Sequence, residues 1–306
     1  MKKLLLTLTL CALAFAGTSN AASTCKASAL SGERYGQVTI PGDFGTHVGP
    51  QYSVFMLSFT TDGTGIFQTV KVEPHIDGVS YPTSVLTNIP YAVNSQCVAT
   101  FNLSTTIPGG KKVQPVTFKA QLNLRSGNAK TGLVANAPGL VNIPELGKTL
   151  PFAIGPIATG CSAEESFVGR YVGRLNVQLQ DGNTFTYAVV PMTFITDGTG
   201  LMTVRAEPSK DGKVYKATVV ENVPYAVDSQ CRVKSAVTVE FTLKERGPKC
   251  DPVYVTFNVL LNARRVLKTG AIYNAAGVVD VIDHLWGNAT MPFSVVPMAA
   301  PATSVE

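Results

Sequence analysis

From Pro115 onward apolar and polar residues alternate one by one: Val116, Phe118, Ala120, Leu122 and Leu124 against Thr117, Lys119, Gln121, Asn123 and Arg125. Successive side chains of a strand point to opposite faces, so this run predicts a strand with one buried and one wet face. The pattern returns later as Val255, Phe257, Val259, Leu261 and Ala263 opposing Thr256, Asn258, Asn262 and Arg264. Upstream, the β-favouring run from Ser53 to Phe59 meets Asp62-Gly63-Thr64-Gly65, and Ile66 to Val72 resumes it. An Asp-Gly pair supplies the positive φ of a tight turn, which predicts a hairpin there. Further strands are expected at about 34–40, 78–86, 91–103 and 149–154, while helical periodicity is almost absent.

The chain is written twice. Residues 88–97 read N-I-P-Y-A-V-N-S-Q-C and residues 222–231 read N-V-P-Y-A-V-D-S-Q-C, identical at eight of ten positions. Phe59 and Asp62-Gly63-Thr64-Gly65 recur as Phe194 and Asp197-Gly198-Thr199-Gly200, Glu73-Pro74 as Glu207-Pro208, and Pro151-Phe152 as Pro292-Phe293. Each unit is roughly 130 residues, a single-domain length. Such a unit with seven or eight short antiparallel strands must close or stack to protect its edges. The fold class expected is therefore all-β, two tandem antiparallel eight-stranded β-barrels, with a β-sandwich as the alternative. Copy one is placed at 22–155, a linker at 156–160 where Gly, Pro and small residues collect, copy two at 161–297, and a tail at 298–306.

Residues 1–21 carry Lys2 and Lys3, an apolar stretch, and the small Ser19 and Ala21 before a cut after Ala21, the layout of a secretory signal peptide. The apolar stretch from Leu4 to Gly17 is too short for a standard membrane span, so a secreted or periplasmic protein with no stable membrane span is expected. An outer-membrane barrel fits less well, because the strands are short and broken by prolines such as Pro82 and Pro191. Hydrophobic residues make up 45% of the chain and charged ones 15%, enough for a real core in each copy and too few charges for disorder. Removing Lys2 and Lys3 leaves 23 basic against 20 acidic residues, without basic clusters, and nucleic acid is not an expected partner.

Five cysteines remain after Cys11 of the signal is set aside. The repeat pairs them: Cys25 and Cys97 lie 72 residues apart, and Cys161 and Cys231 hold the same two places 70 apart. Disulfides Cys25–Cys97 and Cys161–Cys231 are predicted, with Cys250 left as a surface thiol.

The three histidines, His47, His75 and His284, fall at non-equivalent places in the copies, so no metal or cofactor is expected, and no catalytic motif is present. Polar residues kept in both copies are Tyr35 and Tyr171, Glu73 and Glu207, Tyr91 and Tyr225, Asn123 and Asn262, and Arg125 and Arg264; of these Tyr91, Tyr225, Glu73, Glu207, Arg125 and Arg264, with the apolar Phe55, Phe59 and Phe194, are the ligand-binding candidates. Against that, Glu73 shares a strand face with Lys71, as Glu207 does with Arg205, and such pairs usually decorate a surface. The strand from Ser53 is apolar on both faces, with Phe55, Leu57 and Phe59 opposing Tyr52, Val54 and Met56, and Phe194 standing in copy two where Phe59 stands in copy one. The second face could pack on the sister domain or on a partner subunit in a homodimer, or it could line a ligand chamber. His75 and the Gly42–Gly49 loop occur only in copy one, Trp286 and Cys250 only in copy two.

A hydrophobic strand, an Asp-Gly-Thr-Gly hairpin and, about thirty residues on, the Pro-Tyr-x-Val-x-x-x-Cys segments Pro90–Cys97 and Pro224–Cys231 together resemble a family of secreted bacterial domains. These are largely uncharacterised, with a proposed lipocalin-like or allene-oxide-cyclase-like (calycin-like) barrel. The resemblance spans 25–155 and 161–297 and implies no catalytic residues. The family's usual Gly before the Tyr is replaced by Pro90 and Pro224, and its Cys-Thr-Gly by Cys97-Val98-Ala99 and Cys231-Arg232-Val233. The expected function is binding of a small hydrophobic molecule, a lipid, terpenoid or polyketide, inside a barrel. The rival expectations are an isomerase or cyclase using such a chamber, and a structural or surface-interaction protein whose barrels are filled with side chains.

Overall fold

The computed structural model describes residues 25–41, 52–109, 112–125, 133–134, 136–158, 160–161, 163–181, 184–210, 213–214, 217–241, 253–266, 270–283 and 288–298. The signal segment with Cys11, the Gly42–Gly49 loop with His47, and Cys250, His284, Trp286 and residues 299–306 lie outside the described residues.

The first sheet comprises β1 (Gly32–Pro41), β2 (Tyr52–Thr61), β3 (Ile66–Ile76), β4 (Val79–Ser80), β5 (Ser84–Val93), β6 (Val98–Gly109), β7 (Lys112–Asn123), β8 (Ala137–Ile143) and β9 (Lys148–Pro156). Its strands pair in the order β2-β1-β9-β8-β7-β6-β5-β3, and β3 pairs back onto β2, closing an antiparallel barrel of eight with β4 as a short flap on β3.

The second sheet comprises β10 (Val168–Asp181), β11 (Thr184–Asp197), β12 (Leu201–Ala206), β13 (Ser209–Lys210), β14 (Lys213–Val214), β15 (Thr218–Val227), β16 (Arg232–Phe241), β17 (Val253–Val266), β18 (Ile272–Asp283) and β19 (Ala289–Pro297). It closes in the same order through β10–β11, with β13–β14 as the flap. Closure pairs every barrel strand on both edges and removes the exposed edge that an open sheet would offer for aggregation.

Among the described residues, buried side chains pack into the interior of both barrels. In the first barrel Phe55, Phe59, Phe67, Phe101, Phe118 and Phe152 are all buried, and the ring pairs Phe55–Phe118, Phe59–Phe67, Phe59–Phe101 and Phe67–Phe101 have centroids 5.1–5.7 Å apart. In the second, Phe194 and Phe293 meet at 6.0 Å among Val, Met and Leu side chains. Space is so short that a Cβ on Gly36 would stand 2.7 Å from the Phe152 ring, and one on Gly173 would stand 2.3 Å from the Phe293 ring. These equivalent glycines let a phenylalanine lie across the neighbouring strand.

One end of each barrel is plugged by a 3₁₀ turn, Ala27–Leu30 in the first and Ala163–Ser166 in the second. Leu30 and Phe167 are buried beneath these plugs, and the disulfides Cys25–Cys97 and Cys161–Cys231 hold each plug segment to the turn after β5 or β15.

The local structure departs from the sequence expectation in five places, the first being that Pro191, read as a strand breaker, lies inside β11. The stretch 78–86 is split at Pro82 into β4 and β5, since proline lacks the N–H a ladder needs. The stretch 91–103 is two strands, because Asn94 turns the chain. Its Oδ1 accepts the N–H groups of Gln96 and Val98 at 3.0 Å, and Cys97 sits at φ 62°. Asp228 does the same for Gln230 and Arg232, which explains why N/D-S-Q-C is written in both copies. Strand β8 was not expected. Finally, the outer face of β17 is not wet throughout, since Leu260 and Asn262 are buried there.

Candidate functional site

The second apolar face of β2 is covered by the sister barrel. Tyr35, Val54 and Met56 of the first barrel pack with Leu260 and Val278 of the second, flanked by Tyr52 and the linker residue Ile157. The cross-strand registers explain the match. On one side the outward rows Tyr35–Ser58–Lys71, Gln37–Met56–Glu73 and Thr39–Val54–His75 lie side by side. On the other side lie Arg232–Asn262–Ala276, Lys234–Leu260–Val278 and Ala236–Asn258–Asp280.

At one end of this joint the turn from β3 to β4 is driven against the β18–β19 hairpin. Gly78 stands at φ 73°, and a Cβ there would meet the Val281 carbonyl at 2.6 Å. Its N–H donates to Thr290 Oγ1 at 2.9 Å, and Thr290 Oγ1 donates to Asp280 Oδ1 at 2.7 Å. Asp280 Oδ2 accepts from His75 Nδ1 at 2.7 Å. His75, Asp280 and Thr290 are all buried.

Burial alone would push the His75 imidazole down. The hydrogen bond to Asp280, the contact with Glu73 and the charges of both carboxylates outweigh it and raise the pKa to about 9. His75 Nε2 has no hydrogen-bond partner; it lies 3.7 Å from Glu73 Oε1, a charge contact rather than a hydrogen bond. Glu73 in turn is held below the usual carboxylate range, chiefly by His75, against its own burial, and further by Arg232 and Lys234.

Beside this network a cleft of about 320 Å³ opens between the barrels. Met56, Ser58, Lys71, Glu73, Thr83 and Val85 line it from the first barrel, Gln230 and Arg232 from the second. The Arg232 guanidinium bonds Asp228 through Nε at 2.6 Å and reaches toward Glu73 at 3.9 Å.

Of the polar binding candidates named from the sequence, only Glu73 reaches this cleft, where it is joined by Met56 from the second apolar face of β2. Glu207 pairs with Arg205 at 2.5 Å on the exposed face of the second barrel, and the exposed Arg125 bonds the Gln96 carbonyl at 3.3 Å. Arg264 lies on β17, and its side chain is outside the described ones. Phe55, Phe59 and Phe194 are barrel filling. Tyr91 donates to the Ala27 carbonyl at 2.9 Å. The Tyr225 hydroxyl accepts from Thr196 Oγ1 at 2.7 Å and stands 3.1 Å from the Glu164 carbonyl and 3.3 Å from that of Phe167. Both tyrosines therefore fasten plugs.

Tyr35 and Tyr171 are not counterparts. Arg34 is the residue that pairs with Phe59 and Pro156 as Tyr171 pairs with Phe194 and Pro297. Arg34 points inward and donates to the Val134 and Ala29 carbonyls, while Tyr171 donates to the Ile272 carbonyl at 2.7 Å. The sequence reading missed Asp280, Thr290, Lys71 and Arg232. The signal available was asymmetry: His75 replaces Ser209, and Asp280 replaces Asn142, which bonds Thr149 as Asp280 bonds Thr290.

Fold and joint together define a disulfide-stapled, all-β protein of two closed eight-stranded barrels packed through unlike faces. No protein-family model and no curated protein matches the sequence. Among solved structures, a crystal structure named a "putative outer membrane protein" from Bacteroides fragilis NCTC 9343 matches over 90% of this chain and 100% of that chain. The identity is 12% and the TM-score 0.23.

Proposed function

We propose that this is an extracytoplasmic binding protein in which two filled barrels serve as scaffold and the ligand is taken by the cleft between them. The observation that carries the reading is the contrast in filling. Aromatic rings occupy the space that a lipocalin-type chamber would leave for a ligand, whereas the cleft stays open and mixes apolar Met56 and Val85 with charged Lys71, Glu73 and Arg232. Two disulfides joining elements distant in sequence fit an oxidising compartment, as does the signal peptide expected at residues 1–21. The same filling supports the rival reading of a structural or surface-interaction protein.

Native mass spectrometry of the chain from its own compartment, followed by denaturing extraction, separates the two. Wild type should release a stoichiometric small molecule, and Val85→Trp, which fills the cleft from an exposed position, should arrive empty. A clean apo mass in wild type, or a molecule that survives Val85→Trp, would overturn the cleft assignment.

A further inference from the structure

We infer that the cleft takes a small monocarboxylate bearing a short aliphatic part, with the carboxylate at Lys71 and Arg232 and the aliphatic part between Met56 and Val85. The inference rests on the cleft being the binding place and adds the class of ligand.

Charge comes first. The lining holds two cations, Lys71 and Arg232, against one carboxylate, Glu73. That carboxylate is already engaged, with His75 at 3.7 Å and Arg232 at 3.9 Å. The Lys71 ammonium has no ion-pair or hydrogen-bond partner among the described residues. Arg232 spends Nε on Asp228, and at 3.9 Å from Glu73 its Nη1 is beyond direct hydrogen-bond reach, so donor capacity remains. The hydroxyls of Ser58 and Thr83 and the side-chain amide of Gln230 add further donors to the same lining, and none of them makes a side-chain hydrogen bond among the described residues. Lys71 is the cation of the lining with no carboxylate partner among the described residues, and beside the remaining Arg232 donors it suits a single carboxylate, which a guanidinium and an ammonium can share. A dianion would bring a second negative charge against Glu73.

Size and polarity come next. A volume of about 320 Å³ is at the small end for ligand sites and leaves no room for a long acyl chain. Met56 and Val85 are the apolar part of the lining, so a branched or short aliphatic group can leave water there. An amino acid is a poorer fit, because its ammonium would need Glu73 to give up His75.

The test titrates the full-length oxidised protein with three probes of nearly equal shape, 4-methylpentanoate, 4-methylpentan-1-ol and leucine, by calorimetry at low salt. The acid should bind at least tenfold more tightly than either other probe. Lys71→Met, which keeps the side-chain length, should lower acid affinity about tenfold or more, and Val85→Trp should abolish it, with thermal midpoints confirming that both variants fold. Arg232 is not substituted, because it also holds the Asp228 turn. Equal binding of alcohol and acid, tighter binding of leucine, or full affinity in Lys71→Met would overturn the carboxylate assignment while loss in Val85→Trp kept the cleft. Failure of every probe to bind in a Val85-dependent way would overturn this assignment, and an extracted natural ligand would then decide the cleft itself.

Discussion

The residues most visible in the repeated sequence turn out to be fasteners. Tyr225 is 5% exposed, receives the Thr196 hydroxyl and donates into the plug carbonyls of Glu164 and Phe167, and its ring meets the Phe167 ring edge-on at 5.6 Å. Removing the hydroxyl takes a partner from the buried Phe167 carbonyl and Thr196 hydroxyl, which costs about 1–3 kcal/mol. Tyr225→Phe should therefore lower the urea unfolding free energy by that amount and leave ligand affinity alone, and a loss of affinity without loss of stability would contradict the fastening role. Retention between copies was legible in the sequence, but the role was not, since the partners Ala27 and Glu164 lie more than sixty residues from Tyr91 and Tyr225. Sequence alignment of the copies even misassigns one pair. Arg34 and Tyr171 solve one problem, satisfying an inward-facing carbonyl at the plugged end, with different chemistry. The Tyr171 phenol pays for its place with a pKa pushed up to about 12, first by burial and then by Tyr225.

At the scale of elements, turns rather than strands hold the sequence signal. Asp62 Oδ1 takes the Thr64 N–H at 2.9 Å and Asp197 Oδ1 that of Thr199 at 3.0 Å, and Tyr91 and Tyr225 bond back to the Gly65 and Gly200 carbonyls. These motifs are local, so composition and spacing expose them directly. Strand limits were less legible, because an apolar run does not reveal where Asn94 or Asp228 bends it. The disulfides join the two kinds of element, tying a plug segment to a turn across 72 and 70 residues. Opening a loop of that length releases about 4 kcal/mol of constraint on the unfolded chain in the entropic account. The double variant Cys161→Ser with Cys231→Ser should lower stability by about that much. Wild type should match it once reduced, and an unchanged unfolding midpoint in either case would show that the plugs hold without their staples.

At the scale of the whole molecule, the joint breaks the symmetry that the duplication created. The first barrel offers β1, β2 and β3, the second offers β17, β18 and β19, so the contact is heterologous, and the hydrogen-bonded pair at its end, His75 and Asp280, has no like counterparts in the sister copies. That is why the cleft was the least legible feature: each half of it looks like ordinary strand surface until the two barrels meet. The electrostatics of the joint give it a pH signature. The folded chain holds the His75 proton up to about pH 9, against about 6.5 when unfolded, so this contribution is complete below about pH 6.5 and is lost as pH rises through 9. Glu73 works in the other direction, its folded value being depressed, so its share is present above the unfolded carboxylate range and is lost on acidification. Asp280 and Glu73 both act on His75, Arg232 and Lys234 act on Glu73, and the proton on His75 is what lets the two carboxylates share the joint. Replacing it by His75→Gln keeps a side-chain donor for Asp280 but removes the charge and its titration. Denaturation followed from pH 6 to pH 10 should show wild type losing on the order of 3 kcal/mol more than His75→Gln across that range. Parallel profiles for the two proteins would mean that the imidazole is neutral in the joint, and the coupling between the barrels would then rest on Tyr35, Val54, Met56, Leu260 and Val278 alone.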